Sequence, residues 1–284
     1  MWNFNRVLLT YTNAIILGLV QGLTEFLPVS SSGHLVIMQS LLPGFKGAGL
    51  AFDTLLHLAT LVTVLVYFRK EIFAVISGTA GKPVTGEGGL SVKDSRRLAL
   101  LIIIATIPTG VIGLAFKKKF EYLFSRPDIV GIMLLITGTL MFAAERWAGK
   151  RKNRREKQTV ETSRPVSLLI GITQGLAVTP GISRSGSTIA AGIFCSLERN
   201  WAARFSFLIS IPAISGAFLL QSREIIGILF QPGELAPALA GMLVAGISGY
   251  LAIDILLKLV SREKLSYFSY YCWAVGLVAV FYFI

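Results

Sequence analysis

The sequence has little charge for its length. Only 15% of its 284 residues are charged and 54% are hydrophobic, whereas about a quarter of the residues in a soluble domain are charged. Long apolar runs recur along the chain, which excludes an ordinary soluble protein and predicts an all-α polytopic membrane protein. Residues 1–284 are predicted to form a single integral membrane domain.

Cysteine and histidine are both rare, with two of each. Cys195 and Cys272 lie in apolar stretches and share no motif, so neither a disulfide framework nor a cysteine metal site is expected. The N-terminal apolar run is short, is interrupted by Gln21 and Glu25, and lacks a small-residue cleavage site. We therefore do not expect a removable signal peptide.

Acidic residues are scarce beside basic ones, and the net charge is +12. In a soluble protein this charge would suggest nucleic acid, but here the basic residues cluster in loops. Membrane lipids are therefore the expected partner, and no nucleic acid is expected. Nineteen Lys and Arg fall on one side of the predicted spans and seven on the N-terminal side. The positive-inside rule then places both termini outside and the basic loop 148–164 in the cytoplasm.

Six segments are long and apolar enough to cross a bilayer, each near the 17–25 residues that a crossing needs. They are 51–68, 97–116, 128–147, 205–221, 235–259 and 267–284.

Two further apolar stretches, residues 14–42 and 165–197, are interrupted in the middle by Pro, Gly and Ser. Each is predicted to form a helix, a polar turn and a second helix. Broken helices at membrane depth are tolerated only where they are buried in protein or line a polar cavity. We therefore predict two re-entrant hairpins.

The two broken stretches resemble each other at an offset of 153 residues. "QGLTEFLPVSSSGH" begins at Gln21 and "QGLAVTPGISRSGS" at Gln174, and each hairpin is followed by three predicted spans. An odd number of crossings inverts the second copy, which gives an inverted-topology repeat of residues 14–147 and 165–284.

The copies also differ in their ionisable residues. Glu25 and His34 occur only in the first copy, and Arg184 occurs only in the second. One half thus supplies an acid and an imidazole, and the other supplies a fixed positive charge. This division predicts one composite site where the two repeats meet.

Arg184 lies in a Gly- and Ser-rich turn that opens a helix, "PGISRSG". Such turns present free backbone N–H groups to anions, and a guanidinium can hold two phosphate oxygens at once. The hydroxyl groups of Ser183, Ser185, Ser187 and Thr188 add donors. We expect this segment to bind a phosphate group.

Gln21 and Glu25 are four residues apart and share one face of a helix. An amide oxygen and a carboxylate suit a divalent cation such as Mg²⁺ or Ca²⁺, which would bridge to a substrate phosphate. Glu25 is equally suited to pair with Arg184 or to act as a base.

His34 follows three consecutive serines, Ser30, Ser31 and Ser32. An imidazole can deprotonate a nucleophile, protonate a leaving oxygen or attack phosphorus itself, so His34 is a candidate catalytic residue. Asp53 and His57 form another pair four residues apart, which we place as supporting candidates, and Asp254 is a weaker one.

These motifs resemble the undecaprenyl pyrophosphate phosphatase family, also called the bacitracin-resistance protein family, over essentially the whole chain. The family's first motif begins with Glu or Gln, and here Gln21 leaves one carboxylate fewer beside Glu25. By resemblance, Ser31, His34 and Arg184 are the essential serine, histidine and arginine, with Ser183 and Thr188 also implicated.

The resemblance implies a hydrolase that removes the terminal phosphate of a C55 isoprenyl pyrophosphate. It further implies that the enzyme requires a divalent cation and lies in the bacterial cytoplasmic membrane, with an active site open to the outer face. The implied biological roles are recycling of the carrier lipid for cell-wall synthesis and resistance to bacitracin. A homodimer is compatible with the sequence.

The attacking group stays open between Ser31, His34 and a metal-activated water. We favour Ser31 with His34 as proton carrier, and Arg184 with the hairpin N–H groups as the phosphate holders.

Three rival functions remain. A transporter would use the same inverted repeat without a nucleophile. Another superfamily of membrane lipid phosphatases shares Ser32-Gly33-His34 and Ser183-Arg184, but its second histidine would fall on Ala190. A structural membrane subunit would leave Arg184 unexplained.

Overall fold

The computed structural model describes residues 9–42, 49–84, 90–150, 162–229, 232–261 and 264–284. Within these ranges the chain is helical and contains no β-strand. The helices are α1 Tyr11–Phe26, α2 Ser31–Leu41, α3 Gly49–Tyr67, α4 Arg69–Thr79, α5 Val92–Ala115, α6 Lys117–Leu123, α7 Pro127–Lys150, α8 Arg164–Leu176, α9 Arg184–Phe194, α10 Arg199–Leu220, α11 Ser222–Leu229, α12 Leu235–Ser261 and α13 Ser266–Phe283.

The predicted fold class is confirmed. Six helices, α3, α5, α7, α10, α12 and α13, are long and apolar enough to cross a membrane, and they coincide with the six predicted spans. Most of the basic loop 148–164 lies outside the described residues, so its cytoplasmic location stays a prediction.

Helix–turn–helix pairs occur at both predicted hairpins, as α1–α2 and α8–α9. α1 ends at Phe26 because the residue before Pro28 is held in an extended conformation, with ψ 143° at Leu27. The second turn passes through Gly181 at φ +90°, a conformation that favours glycine. The 11 residues of α2 and of α9 span only about 16 Å each, far less than a bilayer core. Their re-entry into a bilayer stays a prediction.

The internal repeat is visible in the helix bounds. α1, α2 and α4 each begin 153 residues before α8, α9 and α11, respectively, and α2 and α9 have equal lengths. The packing follows the same relation. α1 packs on α12, the second span of the other repeat, and its counterpart α8 packs on α5, the second span of the first repeat. The third spans of the two repeats, α7 and α13, pack on each other. The two copies are therefore interleaved, and neither copy packs as a separate body.

Equivalent glycines allow these closest helix contacts. A Cβ atom at Gly18 of α1 would collide with the backbone of Gly241, and one at Gly171 of α8 would collide with the backbone of Ala105. Small residues at such crossings let two backbones approach, which is the usual basis of helix association in membranes.

We therefore expect Gly171→Ala to destabilise the protein by at least about 2 kcal/mol, because the added methyl group must push α8 away from α5. Thermal unfolding of the purified protein in detergent measures this effect. Gly149→Ala is the matched control, since no atom lies within 4 Å of a Cβ built there. An unfolding temperature equal to that of the unchanged protein would contradict the packing argument.

Three short helices, α4, α6 and α11, were not predicted. Each follows a span directly and contains basic or acidic residues, such as Arg69, Lys117 and Glu224. Segments of 7 to 11 residues are too short for a hydropathy pattern to separate from a loop.

Candidate active site

The first turns of α2 and α9 face a common cavity. Ser30 caps α2 and accepts a hydrogen bond from Gly33 N at 3.3 Å. Ser183 caps α9 and accepts one from Gly186 N at 3.0 Å. Helix N-termini carry partial positive charge and free N–H groups, so two of them facing one cavity favour an anion.

Ser30 has a backbone φ of +68°, in the left-handed region that residues other than glycine rarely adopt. Its repeat counterpart Ser183 has an ordinary φ of −71°. Of these two helix caps, only the one in the copy that carries the acid is strained, and backbone strain of this kind concentrates at functional sites.

The acid of the first copy and the cation of the second copy are in direct contact. Arg184 Nη2 lies 2.7 Å from Glu25 Oε1, and their side chains are 17% and 5% exposed. The Arg184 Nη1 group also donates to the carbonyl of Ser206 at 3.3 Å. A guanidinium has five N–H donors, so Arg184 keeps donors that can hold a phosphate in the cavity.

The second carboxylate oxygen of Glu25 is the centre of a hydrogen-bond cluster. Ser31 Oγ donates to Oε2 at 2.5 Å, and Gln21 Nε2 donates to the same atom at 3.0 Å. His57 Nε2 lies 3.4 Å from it. The first helical turn of α2 thus holds the Ser31 hydroxyl group against a carboxylate that can accept its proton.

His34 lies apart from this cluster. Its Nδ1 is 2.8 Å from the Ser30 carbonyl, and its Nε2 is 2.9 Å from the Tyr271 hydroxyl group. The His34 and Tyr271 rings stack with centroids 5.6 Å apart. Both ring nitrogens are therefore engaged with groups other than Glu25 and Ser31. The catalytic role of His34 stays a prediction, with Tyr271 as an unforeseen partner.

His57 is the histidine that the structure places in the cavity. Its Nδ1 is 2.7 Å from the Asp53 carbonyl, which fixes the ring with Nε2 toward Glu25. The Asp53 carboxylate itself contacts Gln39 Nε2 at 2.5 Å. The spacing of Asp53 and His57 was a visible signal, but nothing in the sequence indicated that His57 would approach Glu25.

The remaining predicted residues divide into cavity lining and support. Ser30, Ser31, Ser32 and Ser183 line the cavity with Glu25 and Arg184. Ser185 Oγ instead donates to the Leu27 carbonyl at 3.2 Å, and Thr188 Oγ1 lies 2.6 Å from Ser206 Oγ. Ser185 and Thr188 therefore brace the hairpins against each other and against α10. Asp254 pairs with Lys258.

The cavity has a volume of about 600 Å³. Its polar end is formed by the two hairpin turns, and its walls come mainly from α5 and α10. Gly110, Gly113 and Gly216 leave open space along these walls, because no atom lies within 4 Å of a Cβ built at any of them. A charged headgroup and an apolar chain therefore find complementary surfaces in one cavity.

The predicted cation ligands differ in position. Glu25 lines the cavity, whereas Gln21 is fully buried behind it and points its amide nitrogen at the Glu25 carboxylate. Among the described residues no group of three His, Cys, Asp or Glu side chains is placed to hold a metal ion. A magnesium ion often takes only one or two carboxylates and completes its shell with phosphates and water, so Glu25 alone fits a cation shared with a substrate.

Comparisons with known proteins cover nearly the whole chain. The family model described as bacitracin resistance protein BacA matches residues 14–278. A protein of Carboxydothermus hydrogenoformans named undecaprenyl-diphosphatase is 44% identical over 270 residues, covering 93% of this chain and 94% of the relative. Proteins of the same name from Alkaliphilus metalliredigens and Methanosphaera stadtmanae are 42% and 41% identical, each covering 96% of this chain and 98% of the relative.

Proposed function

The chain belongs to the bacitracin resistance protein BacA family, and from that membership we propose that it is an enzyme that hydrolyses undecaprenyl pyrophosphate. The products are undecaprenyl phosphate and inorganic phosphate. The observation that carries this proposal is the contact of Arg184 with Glu25 at 2.7 Å, where two helix N-termini face one cavity.

The pyrophosphate binds at the polar end of the cavity. The free N–H groups of Arg184 take the terminal phosphate oxygens, and the first turns of α2 and α9 add backbone donors. Ser30, Ser32 and Ser183 supply hydroxyl donors around them. Phosphoryl transfer depends mainly on positioning and charge neutralisation, and this set of groups provides both.

Ser31 attacks the terminal phosphorus. A bond forms between Ser31 Oγ and phosphorus, the bond from phosphorus to the bridging oxygen breaks, and undecaprenyl phosphate leaves. Glu25 Oε2, already in contact with the hydroxyl group at 2.5 Å, accepts its proton and returns it to the leaving phosphate. Water then releases inorganic phosphate from Ser31.

A divalent cation, Mg²⁺ or Ca²⁺, would be held by Glu25 together with the substrate phosphates. When bound, it neutralises phosphate charge. Gln21 supports Glu25 through the hydrogen bond at 3.0 Å. A second carboxylate at this position could not donate such a bond when ionised, whereas the amide of Gln21 does.

The prenyl chain lies along the apolar walls of the cavity. Gly110 and Gly113 of α5 and Gly216 of α10 all line this region, and the open space beside each of them leaves room for the chain. The substrate then enters sideways from the lipid, which keeps its hydrocarbon tail out of water.

The active site opens to the outer face of the bacterial cytoplasmic membrane in this proposal. The cavity is lined by Leu50 at the start of α3, Lys117 after α5, and Leu220 at the end of α10. All three fall on the side that carries few basic residues, which the positive-inside rule assigns to the outside. Recycling of the carrier lipid for cell-wall synthesis and resistance to bacitracin follow from that location.

Release of phosphate by the purified protein tests the activity. We expect one inorganic phosphate per undecaprenyl pyrophosphate consumed in detergent, and a large loss of rate when a chelator removes divalent cations. Restoring Mg²⁺ or Ca²⁺ should restore the rate, which controls for damage by the chelator. Binding of the lipid without phosphate release would contradict the proposal and favour a transporter.

A further inference from the structure

Gln174 lines the cavity and carries a buried side-chain oxygen without a hydrogen-bond donor. The side chain lies in the last turn of α8, is 1% exposed, and lines the cavity. Its Oε1 atom has no hydrogen-bond partner among the residues that the structure describes. A buried acceptor of this kind is costly unless a donor from outside the chain satisfies it.

The orientation of the Gln174 amide is fixed by its other contacts. The Nε2 group donates to the Ile209 carbonyl at 3.3 Å and to Thr109 Oγ1 at 3.1 Å. A carbonyl can only accept, and the Thr109 hydroxyl hydrogen is directed to the carbonyls of Ala105 and Gly171. If the amide were rotated by half a turn, its oxygen would lie against the Ile209 carbonyl oxygen, and both atoms can only accept. Oε1 is therefore the atom left without a partner.

Gln174 and Arg184 contact carbonyl groups of α10 that lie within about one helical turn of each other. The amide holds the carbonyl of Ile209 and the guanidinium holds the carbonyl of Ser206. These two carbonyls belong to α10 and are separated by three residues, which is about 4.5 Å along the axis. Both side chains line the cavity, so the amide of Gln174 lies on the same part of α10 as the proposed phosphate site.

Water is the donor that suits this position. Phosphate oxygens are acceptors and would be repelled by Oε1, and a prenyl chain has no donor. A divalent cation takes several oxygen ligands, and the oxygens that contact Gln174, those of Thr109 and Ile209, are held by its amide nitrogen. An amide that accepts from a water molecule directs the water oxygen toward the phosphate, as a glutamine does in GTP hydrolysis.

We infer that Gln174 positions the water that releases phosphate from Ser31. This inference rests on the proposed function and deepens its second step. The water oxygen forms a bond to phosphorus, and the bond between phosphorus and Ser31 Oγ breaks. One water proton passes to Ser31 Oγ, and inorganic phosphate leaves with the other. Gln174 orients the water and exchanges no proton.

Gln174→Met tests the inference, because methionine keeps the length of the side chain and lacks the acceptor oxygen. With undecaprenyl pyrophosphate labelled in its terminal phosphate, we expect a first turnover at nearly the normal rate. Steady-state phosphate release should then be about a hundredfold slower, and labelled phosphate should accumulate on Ser31. A merely structural fault in the cavity would slow the first turnover as well.

Two further variants make the test specific. Gln174→Glu, as the protonated acid, keeps an acceptor oxygen and an O–H donor for the Ile209 carbonyl, so we expect less accumulated label than in Gln174→Met. Gln221 also lines the cavity, but its Oε1 already accepts from Thr54 at 2.7 Å, so Gln221→Met should accumulate no more label than the unchanged protein.

The inference is overturned if Gln174→Met turns over normally, if both steps slow equally without labelled protein, or if Gln174→Glu and Gln174→Met behave alike. Failure of the unchanged protein to release phosphate would instead overturn the proposed function.

Discussion

Arg184→Ala is expected to abolish phosphate release, with a loss of about 10³- to 10⁵-fold in kcat/KM. The substitution removes the donors that hold the terminal phosphate. It also leaves Glu25 buried without its cationic partner, which now lies 2.7 Å away. Phosphate release from undecaprenyl pyrophosphate at several substrate concentrations measures both kcat and KM. A large fall in kcat would show that Arg184 acts in the transition state as well as in binding.

The chain offers a matched control for this experiment. Arg199 is buried and pairs with Glu145 at 2.9 Å, on α10 and α7. Arg199→Ala breaks a comparable ion pair and should lower stability by about 3–5 kcal/mol, yet the folded fraction should keep its kcat. Arg184→Lys keeps the charge without the planar donor fork, so we expect it to recover only part of the lost rate. Equal losses in Arg184→Ala and Arg199→Ala would attribute both effects to folding.

The hydropathy pattern was sufficient to predict the membrane-spanning helices. Each span is a long apolar segment whose length is set by the bilayer, and such segments need no tertiary context to be recognised. The two hairpins were predictable for a similar reason, because Pro28 and Gly181 interrupt stretches that would otherwise be continuous.

The packing of those helices could not be predicted in the same way. A glycine such as Gly18 or Gly171 looks like any other in an apolar helix. Only the structure shows that each lies against the backbone of a helix from the other repeat. Such a crossing depends on which two helices meet. The repeat offset shows that Gly18 and Gly171 are equivalent positions, but it does not show which helix each of them contacts.

The candidate site was predictable where the repeat carried the information. Glu25 and Arg184 occupy hairpins that an inverted repeat brings together, so their contact followed from symmetry and from the cost of isolated charges in a membrane. The environments of His34 and His57 did not follow, because neither has an ionisable counterpart in the other copy. His34 turned out to contact Tyr271, 237 residues away in sequence, a distance over which the sequence gives no signal.

The hairpin turns also explain how one scaffold can suit either transport or hydrolysis. A transporter of a phosphate lipid needs the anion site formed by Arg184 and the helix N-termini. It would need a serine at this turn only to cap the helix. In this structure Ser30 performs the capping, and the adjacent Ser31 hydroxyl group is directed at a carboxylate instead. That arrangement is dispensable for moving a lipid and required for activating a nucleophile.

Ser31→Ala is therefore the substitution that separates the two functions, and we expect it to lower kcat by about 10⁴-fold or more. The change removes one oxygen atom and leaves the Ser30 cap and the Arg184–Glu25 pair in place. Phosphate release and lipid binding should be measured on the same preparation, since binding should persist. Ser40→Ala is the matched control, because Ser40 lies on the same helix and donates only to the carbonyl of Val36.

The identity of the phosphorylated residue decides between the possible nucleophiles. If Ser31 attacks, the unchanged protein quenched in mid-reaction carries acid-stable label on Ser31, and Ser31→Ala carries none. Acid-labile label that survives Ser31→Ala would assign the attack to His34, which would then have to leave Tyr271 and the Ser30 carbonyl. Substantial hydrolysis by Ser31→Ala with no labelled protein would assign it to water. The short contact between Ser31 and Glu25 favours the first result, because the Ser31 hydroxyl group already donates to the carboxylate that Arg184 holds in place, whereas both ring nitrogens of His34 contact other groups.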